Sequence, residues 1–427
     1  MSTSHSPAHS STTSTSQSSS AGSLSGFPEE DLRDGGRDNP RYFPARLGQP
    51  FAQGRFCTVR KLGWGQYSSV WLAKDRAEDR FVALKILTNE ATKAIAPGPD
   101  QRSDELRMLE SIASADPSHR GFRHHLAYLD AFEFAGPHGL HRCIVTEALG
   151  YGLDHLRNLR PGGDRRIAPS IVKRVTRQVL LGLEYLHDVC GIVHTDLKHD
   201  NILFRPQDLQ TVITHELVEN PSVTYDCGTE VNPSVVPVLS QGLPLSTNAS
   251  IHERHLDVVL ADVGHSHWRD RHFQEHVQPA ALRAPEVILG HPWGPPVDIW
   301  SLGCLITEWL VGYWLFEPIR EKEWSYEEDH LARMTEALDA RFDTEPSFLE
   351  NGKNRDQFFN PDGSFAHFTP GHREPAWSLR KMLSEDSELG DDVEVDAVVR
   401  FLRLCLQLDP AKRASARELV GDPWFTE

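Results

Sequence analysis

The chain has no Cys-x-x-Cys pair, no apolar run of membrane length and no excess of basic residues. Its six cysteines (Cys57, Cys143, Cys190, Cys227, Cys304 and Cys405) are scattered over 427 residues. That spacing excludes a zinc ribbon or a thioredoxin-like pair and reads as buried or incidental thiols in a reducing compartment. The 22 histidines show no metal-ligand spacing beside a cysteine. His265, His267 and the pair His124-His125 read as solvated or satisfied residues. The most apolar stretch, Cys304 to Phe316, is interrupted by Glu308 and is far shorter than the ~20 residues a bilayer needs. The first residues are hydroxylated and polar, with no basic start and no apolar core, so no signal peptide is expected. Intracellular, non-membrane residence follows. Asp and Glu number 61 against 44 Lys and Arg, a net charge of -17. Such a surface repels nucleic acid and anionic membrane and attracts basic partners.

What is present is organised in blocks. The length suggests two or three folding units. Residues 1 to about 26 are Ser/Thr-rich with few aliphatic side chains, and a disordered tail is expected over 1–40. From Phe56, short β-branched and aromatic runs alternate with polar turns at Arg55–Leu62, Ser69–Asp75 and Arg80–Leu87, an antiparallel meander. Asp104 to Ala113 reads as a helix. Glu105, Met108, Leu109 and Ile112 fall on one stripe of it, so Glu105 faces inward and needs a cationic partner. Lys85, on the preceding strand, is the natural one. From about Gly150 the pattern turns helical, with helices expected at Pro169–Val189, Val297–Val311 and Ala397–Leu408. Residues 206–256, with several prolines and no helical period, read as a partly ordered spacer. The fold class expected is α+β and bilobal. A small β-rich lobe (about 41–149) carries one key helix, and a larger helical lobe (about 150–425) contains the spacer.

Short motifs are strung along this frame. Leu62-Gly63-Trp64-Gly65-Gln66-Tyr67-Ser68-Ser69-Val70 lies between two predicted strands. Val82-Ala83-Leu84-Lys85 follows. Then come His194-Thr195-Asp196-Leu197-Lys198-His199-Asp200-Asn201, Asp262-Val263-Gly264 and Ala284-Pro285-Glu286. In this order and at these distances they resemble the protein kinases. The resemblance implies that the glycine-rich turn covers the phosphates of ATP, with Ser68 at the third glycine position offering a hydroxyl. It implies that Lys85 pairs with Glu105 and contacts the α- and β-phosphates. Asp196 is the expected base, Lys198 steadies the transferring phosphate, and Asn201 and Asp262 hold Mg²⁺. Lys198 also points to serine/threonine as acceptor, since tyrosine kinases replace it.

More narrowly, the chain is similar to the SR-protein kinases from about Arg41 to Phe425. The marks are Lys61-Leu62-Gly63-Trp64-Gly65, His194-Thr195-Asp196, Leu315-Phe316-Glu317-Pro318, Glu328-Asp329-His330 and the place of the spacer. The likeness implies that Thr146 is the gatekeeper, that Glu147 to Leu149 offer hinge backbone to adenine, and that Leu203 lies under the base near Ala83. Asp298 would brace the catalytic loop. It also implies basic, Arg/Ser-rich splicing factors as substrates and residence in cytoplasm and nucleus; the oligomeric state stays open, with a monomer as the default. Glu317, Glu321, Glu323, Glu327, Glu328 and Asp329 crowd the region matching the family's acidic docking groove. A solvated acidic loop is the competing reading there, and Glu385 to Asp396 reads as a plain solvated face. Thr195 stands where most kinases carry an arginine that pairs with a loop phosphate. Between Asp262 and Glu286 the one hydroxyl residue is Ser266. Activity without activation-loop phosphorylation is therefore expected. Gln278-Pro279-Ala280-Ala281-Leu282-Arg283 departs from the pattern, with Pro279 replacing a threonine. That leaves two alternatives open: a catalytically weak scaffold that binds basic partners, or a kinase of a neighbouring branch with another peptide preference.

Overall fold

The computed structural model describes residues 28–33, 41–99, 101–158, 160–226, 235–247, 256–367 and 378–426. The Ser/Thr-rich start through residue 27 and Cys227 lie outside them. The alternating runs of the small lobe build a six-stranded antiparallel sheet. Its strands are β1 (Pro50–Phe51), β2 (Phe56–Gly65), β3 (Ser68–Asp75), β4 (Arg80–Leu87), β5 (Tyr128–Gly136) and β6 (Gly139–Glu147), in the order β1-β2-β3-β4-β6-β5. Register sorts the side chains. Val70 lies opposite Lys85, Leu72 opposite Ala83, and Ala83 opposite Thr146, so these share one face. Trp71, Val82, Leu84 and Val145 take the other face and join Phe43, Phe51 and Phe56 in the core of the lobe. β2 runs past its expected end at Leu62 to Gly65, which pairs with Ser68 across the turn Gln66-Tyr67.

Two helices, α1 (Asn89–Ala94) and α2 (Glu105–Ser114), follow β4. The buried stripe of α2 is Glu105, Met108, Leu109 and Ile112, the predicted one. The large lobe continues with α3 (Leu153–Asn158), α4 (Pro169–Glu184), β7 (Ile192–Val193), β8 (Ile202–Phe204), α5 (Leu209–Glu219), β9 (Val258–Leu260) and β10 (His267–Trp268). Then come α6 (Pro285–Ile288), α7 (Pro296–Val311), α8 (Tyr326–Leu338), α9 (Pro346–Glu350), α10 (Leu379–Asp386), α11 (Asp392–Cys405) and α12 (Ala416–Val420). From Val297 to Val311 every residue of α7 is buried, as an all-round apolar helix must be. No helix among the described residues is long and apolar enough to cross a membrane.

Three expectations change. The spacer contains a helix, α5. The Asp208 side chain caps it by accepting from Thr211 N, and Ile213 packs with Leu72, Ala148 and Leu243. Within the expected tail, Pro28–Arg33 is docked on the small lobe, where Glu30 is buried. α11 begins at Asp392, not Ala397, because Asp391 accepts from Val393 N and Glu394 N. The run 385–396 is a largely solvated face as expected, with Val395 its one buried residue and surface ion pairs from Asp392 and Asp396 to Arg380 and from Glu388 to Arg160.

Candidate active site

The cleft between the lobes gathers charged groups from five segments. Lys85, on the cleft face of β4, places Nζ 2.6 Å from Glu105 Oε1 and 2.8 Å from Asp262 Oδ1. Burial works against the Lys85 ammonium, but Asp262 and Glu105 more than offset it and hold its pKa above the ordinary lysine value. Burial also opposes ionisation of Asp262, and Lys85, His265 and Lys198 overcome it, keeping that carboxyl below its usual range. The Glu105 carboxyl is pushed up by burial and pulled back by Lys85.

The catalytic loop is anchored from below. Asp298, fully buried on α7, accepts from His194 N at 2.7 Å and Thr195 N at 2.8 Å, and His187 Nε2 lies 2.8 Å away. Thr195 is forced to φ 60°, a costly conformation for a β-branched residue. This turn presents Asp196, whose Oδ2 accepts from Lys198 Nζ at 2.7 Å and from Asn201 Nδ2 at 3.0 Å. Burial opposes the Lys198 charge, and Asp196 outweighs it and raises its pKa. The Asn201 amide nitrogen faces Asp196, which leaves its oxygen as the free donor type for a cation. Ala261 N donates to Asn201 O at 2.9 Å, bringing Asp262 alongside. One amide oxygen and one carboxylate, with the phosphates of a nucleotide, form a donor set suited to Mg²⁺.

The nucleotide side is assembled by register. A Cβ added at Gly63 or Gly65 would meet nothing within 4 Å, so the loop is open where phosphates would lie. Val70, Ala83 and Thr146 share the face of Lys85. Leu203 in β8, opposite Val259, is only half-buried between the buried Ile202 and Phe204. Leu149 is buried at the hinge. The carboxylate of Glu147 is committed to Arg205, with contacts of 2.8 Å, its N–H donates to Ala127 O at 3.0 Å, and its carbonyl accepts from the Thr146 hydroxyl at 3.1 Å. Leu62 packs beside Ala148 and Ile213. Two loop residues face elsewhere. Ser69 accepts from Trp71 Nε1 at 3.2 Å inside the lobe, and Trp64, paired with Ser69, meets Tyr42 edge-on. Their side chains are excluded from the phosphate face because alternate strand residues point to opposite sides. Ser68 is itself buried. Gln66 and Tyr67 are exposed at the turn, and the Tyr67 ring lies 5.6 Å from His265.

Sequence reasoning missed the ties that hold these parts together. The Thr195 hydroxyl donates to His265 O at 2.8 Å, and Ser266 Oγ donates to His194 O at 3.1 Å. The activation segment also grips the start of α2: Ser103 Oγ donates to Gly264 O at 2.8 Å, and Trp268 Nε1 to Asp104 Oδ2 at 2.9 Å. On the substrate side Pro279 offers no hydroxyl. The preceding Gln278, at φ 71°, instead accepts from Ala284 N and donates to Val297 O and Ser301 Oγ, each at 2.9 Å. Of the acidic residues assigned to a docking region, Glu317, Glu321 and Glu323 are exposed. Glu328 and Asp329 are not available: Glu328 accepts from His367, and Asp329 from Ile319 N and Arg333. A buried carboxylate must find such partners.

Comparison with known proteins agrees with this geometry. The protein kinase domain model matches residues 56–216 and 246–425. Protein kinase dsk1 of Schizosaccharomyces pombe is 30% identical, over 93% of this chain and 84% of that protein. Serine/threonine-protein kinase SRPK of Physarum polycephalum is 33% identical over 93% of this chain and 91% of its own length. SRSF protein kinase 3 of Homo sapiens is 27% identical over 90% of this chain and 88% of its own. The chain belongs to the protein kinase family, and within it to the SR-protein-kinase group of serine/threonine-protein kinases.

Proposed function

We propose that this chain transfers the γ-phosphoryl group of ATP to serine hydroxyls in arginine-rich protein segments, without prior phosphorylation of its activation segment. Asp196 takes the proton of the attacking hydroxyl. The new serine O–P bond forms as the bond to the β-phosphate oxygen breaks, and ADP leaves. Lys198 and Lys85 offset charge on the phosphates, and Asn201 and Asp262 would hold Mg²⁺, which neutralises the β- and γ-oxygens when bound. We assign the adenine contacts to the Glu147–Leu149 backbone, Ala83, Thr146 and Leu203.

The observation that carries the reading is the state of Ser266. It is 1% exposed and its hydroxyl is spent on the His194 carbonyl, while Lys85 already sits on Glu105 and Asp262. An arrangement closed in this way has no exposed hydroxyl to modify and no arginine before Asp196 to receive a phosphate. For the substrate, the exposed Glu317, Glu321 and Glu323 and the net charge of -17 favour a basic peptide. We extend the family's splicing-factor substrates, its residence in cytoplasm and nucleus and a monomeric state to this chain on the same footing.

The test is a peptide comparison with a charge-removed enzyme. Glu317→Gln/Glu321→Gln/Glu323→Gln is expected to raise KM for an Arg-Ser peptide and leave KM for a neutral serine peptide unchanged. An equal KM for both peptides in the unaltered enzyme would refute the substrate assignment.

A further inference from the structure

Helix α7 holds the catalytic loop at two points. Asp298, in its first turn, fixes His194 and Thr195. Glu308, about three turns further on, reaches the far end of the loop, where His199 Nε2 lies 3.3 Å from its Oε2. Arg157 of α3 joins these two. Its Nη2 pairs with Glu308 Oε1 at 2.6 Å, and its Nη1 donates to His199 Nε2 at 3.0 Å. Arg157 is 2% exposed and Glu308 1%, and His199 is buried with them. Trp309 and Trp314 flank the imidazole edge-on.

The donor types fix the roles. A guanidinium cannot accept, so His199 Nε2 is the acceptor and carries no hydrogen. The ring is then neutral, with its hydrogen on Nδ1. Glu308 Oε2, facing that bare nitrogen, has no hydrogen-bond partner among the described residues. A buried ion pair adds little net stability over packed apolar side chains of the same volume. What this pair adds is direction: Arg157, gripped by Glu308, aims a charged donor at one atom of the catalytic loop. His199 opens the single turn His199–Asn201. At the end of that turn, Asn201 Nδ2 donates to Asp196 O at 2.8 Å and Oδ2 at 3.0 Å. The Asn201 carbonyl accepts from Ala261 N, next to Asp262. A shift of His199 therefore reaches the base and both groups assigned to Mg²⁺.

We propose that Arg157 and Glu308 are positioning residues for the cation site: acting through His199, they fix the turn that carries Asn201 and so set how tightly the enzyme–nucleotide complex holds Mg²⁺. The proposal rests on the assignment of Asn201 and Asp262 to Mg²⁺, and it is independent of which peptide the enzyme prefers. The alternative is that the cluster only stabilises the large lobe.

The experiment uses the full chain with His199→Leu, which removes the acceptor, and with His199→Gln, which keeps one. A third variant, Arg157→Met/Glu308→Leu, removes the pair without stranding a charge. Asn201→Ala is the reference for the cation site itself. ADP dissociation constants are measured by calorimetry with saturating Mg²⁺ and with EDTA, alongside Tm and the Mg²⁺ dependence of kcat. The ratio of the two constants is the gain in affinity from Mg²⁺. It should fall roughly tenfold in His199→Leu and in the pair variant, the worth of one hydrogen bond to a charged group, with the EDTA constant unchanged. His199→Gln should restore most of it. If His199→Leu does not fold, the pair variant carries the same expectation. An unchanged gain in both, whatever their Tm, while Asn201→Ala loses it, would overturn the proposal and leave the site assignment standing. An unchanged gain in Asn201→Ala would refute the assignment and the proposal with it.

Discussion

Thr195 carries two loads, and only the second needs its hydroxyl. Its left-handed backbone turns Asp196 toward the cleft, and its hydroxyl reaches His265 O, three residues past Asp262. Thr195→Val keeps the shape and the strain and removes only the hydrogen bond. The loss is worth about 1 kcal/mol, so kcat should fall roughly fivefold with ATP KM unchanged, as steady-state kinetics would read. An unaltered kcat would mean that the bond does not steady the site. At this scale much was legible. The inward stripe of α2 named Glu105, and the need to pair a buried carboxylate named Lys85. That the Ser69 and Trp64 side chains turn away from the cleft was not legible, because a motif does not reveal strand register. Glu328 and Asp329 look like surface charge until Ile319 N, Arg333 and His367 are seen around them.

Elements, rather than residues, keep the site assembled. Helix α2 would be free to swing Glu105 away from Lys85, but Ser103 and Asp104 at its start are tied to Gly264 O and Trp268. The spacer acts on the other side. Ile213 of α5 is fully buried against Leu72, Ala148 and Leu243, joining both lobes beside the hinge. Ile213→Ala should cost about 2–5 kcal/mol at that contact, enough to release α5. Hydrogen exchange should then rise over Leu209–Glu219 while α7 stays protected. Unchanged exchange in α5 would contradict this account. The helix was readable in principle, since Leu209, Val212, Ile213 and Leu217 follow the helical period after Asp208. Prolines at 206 and 221, just outside it, give the segment the look of a loop. The docking of Pro28–Arg33 was not readable, because it depends on a lysine and a serine distant in sequence.

The whole molecule buries several neutral histidines, and this fixes its response to acid. Burial lowers His330 and His125 to about 3 and His267 to about 4. Once unfolded, each titrates near its ordinary value, so below about pH 6.5 the unfolded chain binds protons that the folded chain does not. Stability therefore falls as pH drops, by about 1.4 kcal/mol per pH unit for each such group, until the folded pKa is reached. His330 lies beside Phe316, and its Nε2 has no hydrogen-bond partner. His330→Phe should make Tm less steeply dependent on pH between 6.5 and 5, and an identical slope would refute its part in the effect. The bilobal frame was legible in the sequence because apolar period changes from strand-like to helical near Gly150. How the lobes are joined was not, because that rests on spacer contacts.

The central claim is that the site is complete as folded. The most direct test is ³²P transfer from Mg-ATP to an Arg-Ser repeat peptide by enzyme first treated with phosphatase, with a Lys-Ser peptide and Asp196→Asn alongside. Expected are undiminished transfer to the Arg-Ser peptide, little to the Lys-Ser peptide, and loss in Asp196→Asn with ATP binding retained. Transfer that disappears on phosphatase treatment, or survives in Asp196→Asn, would contradict it.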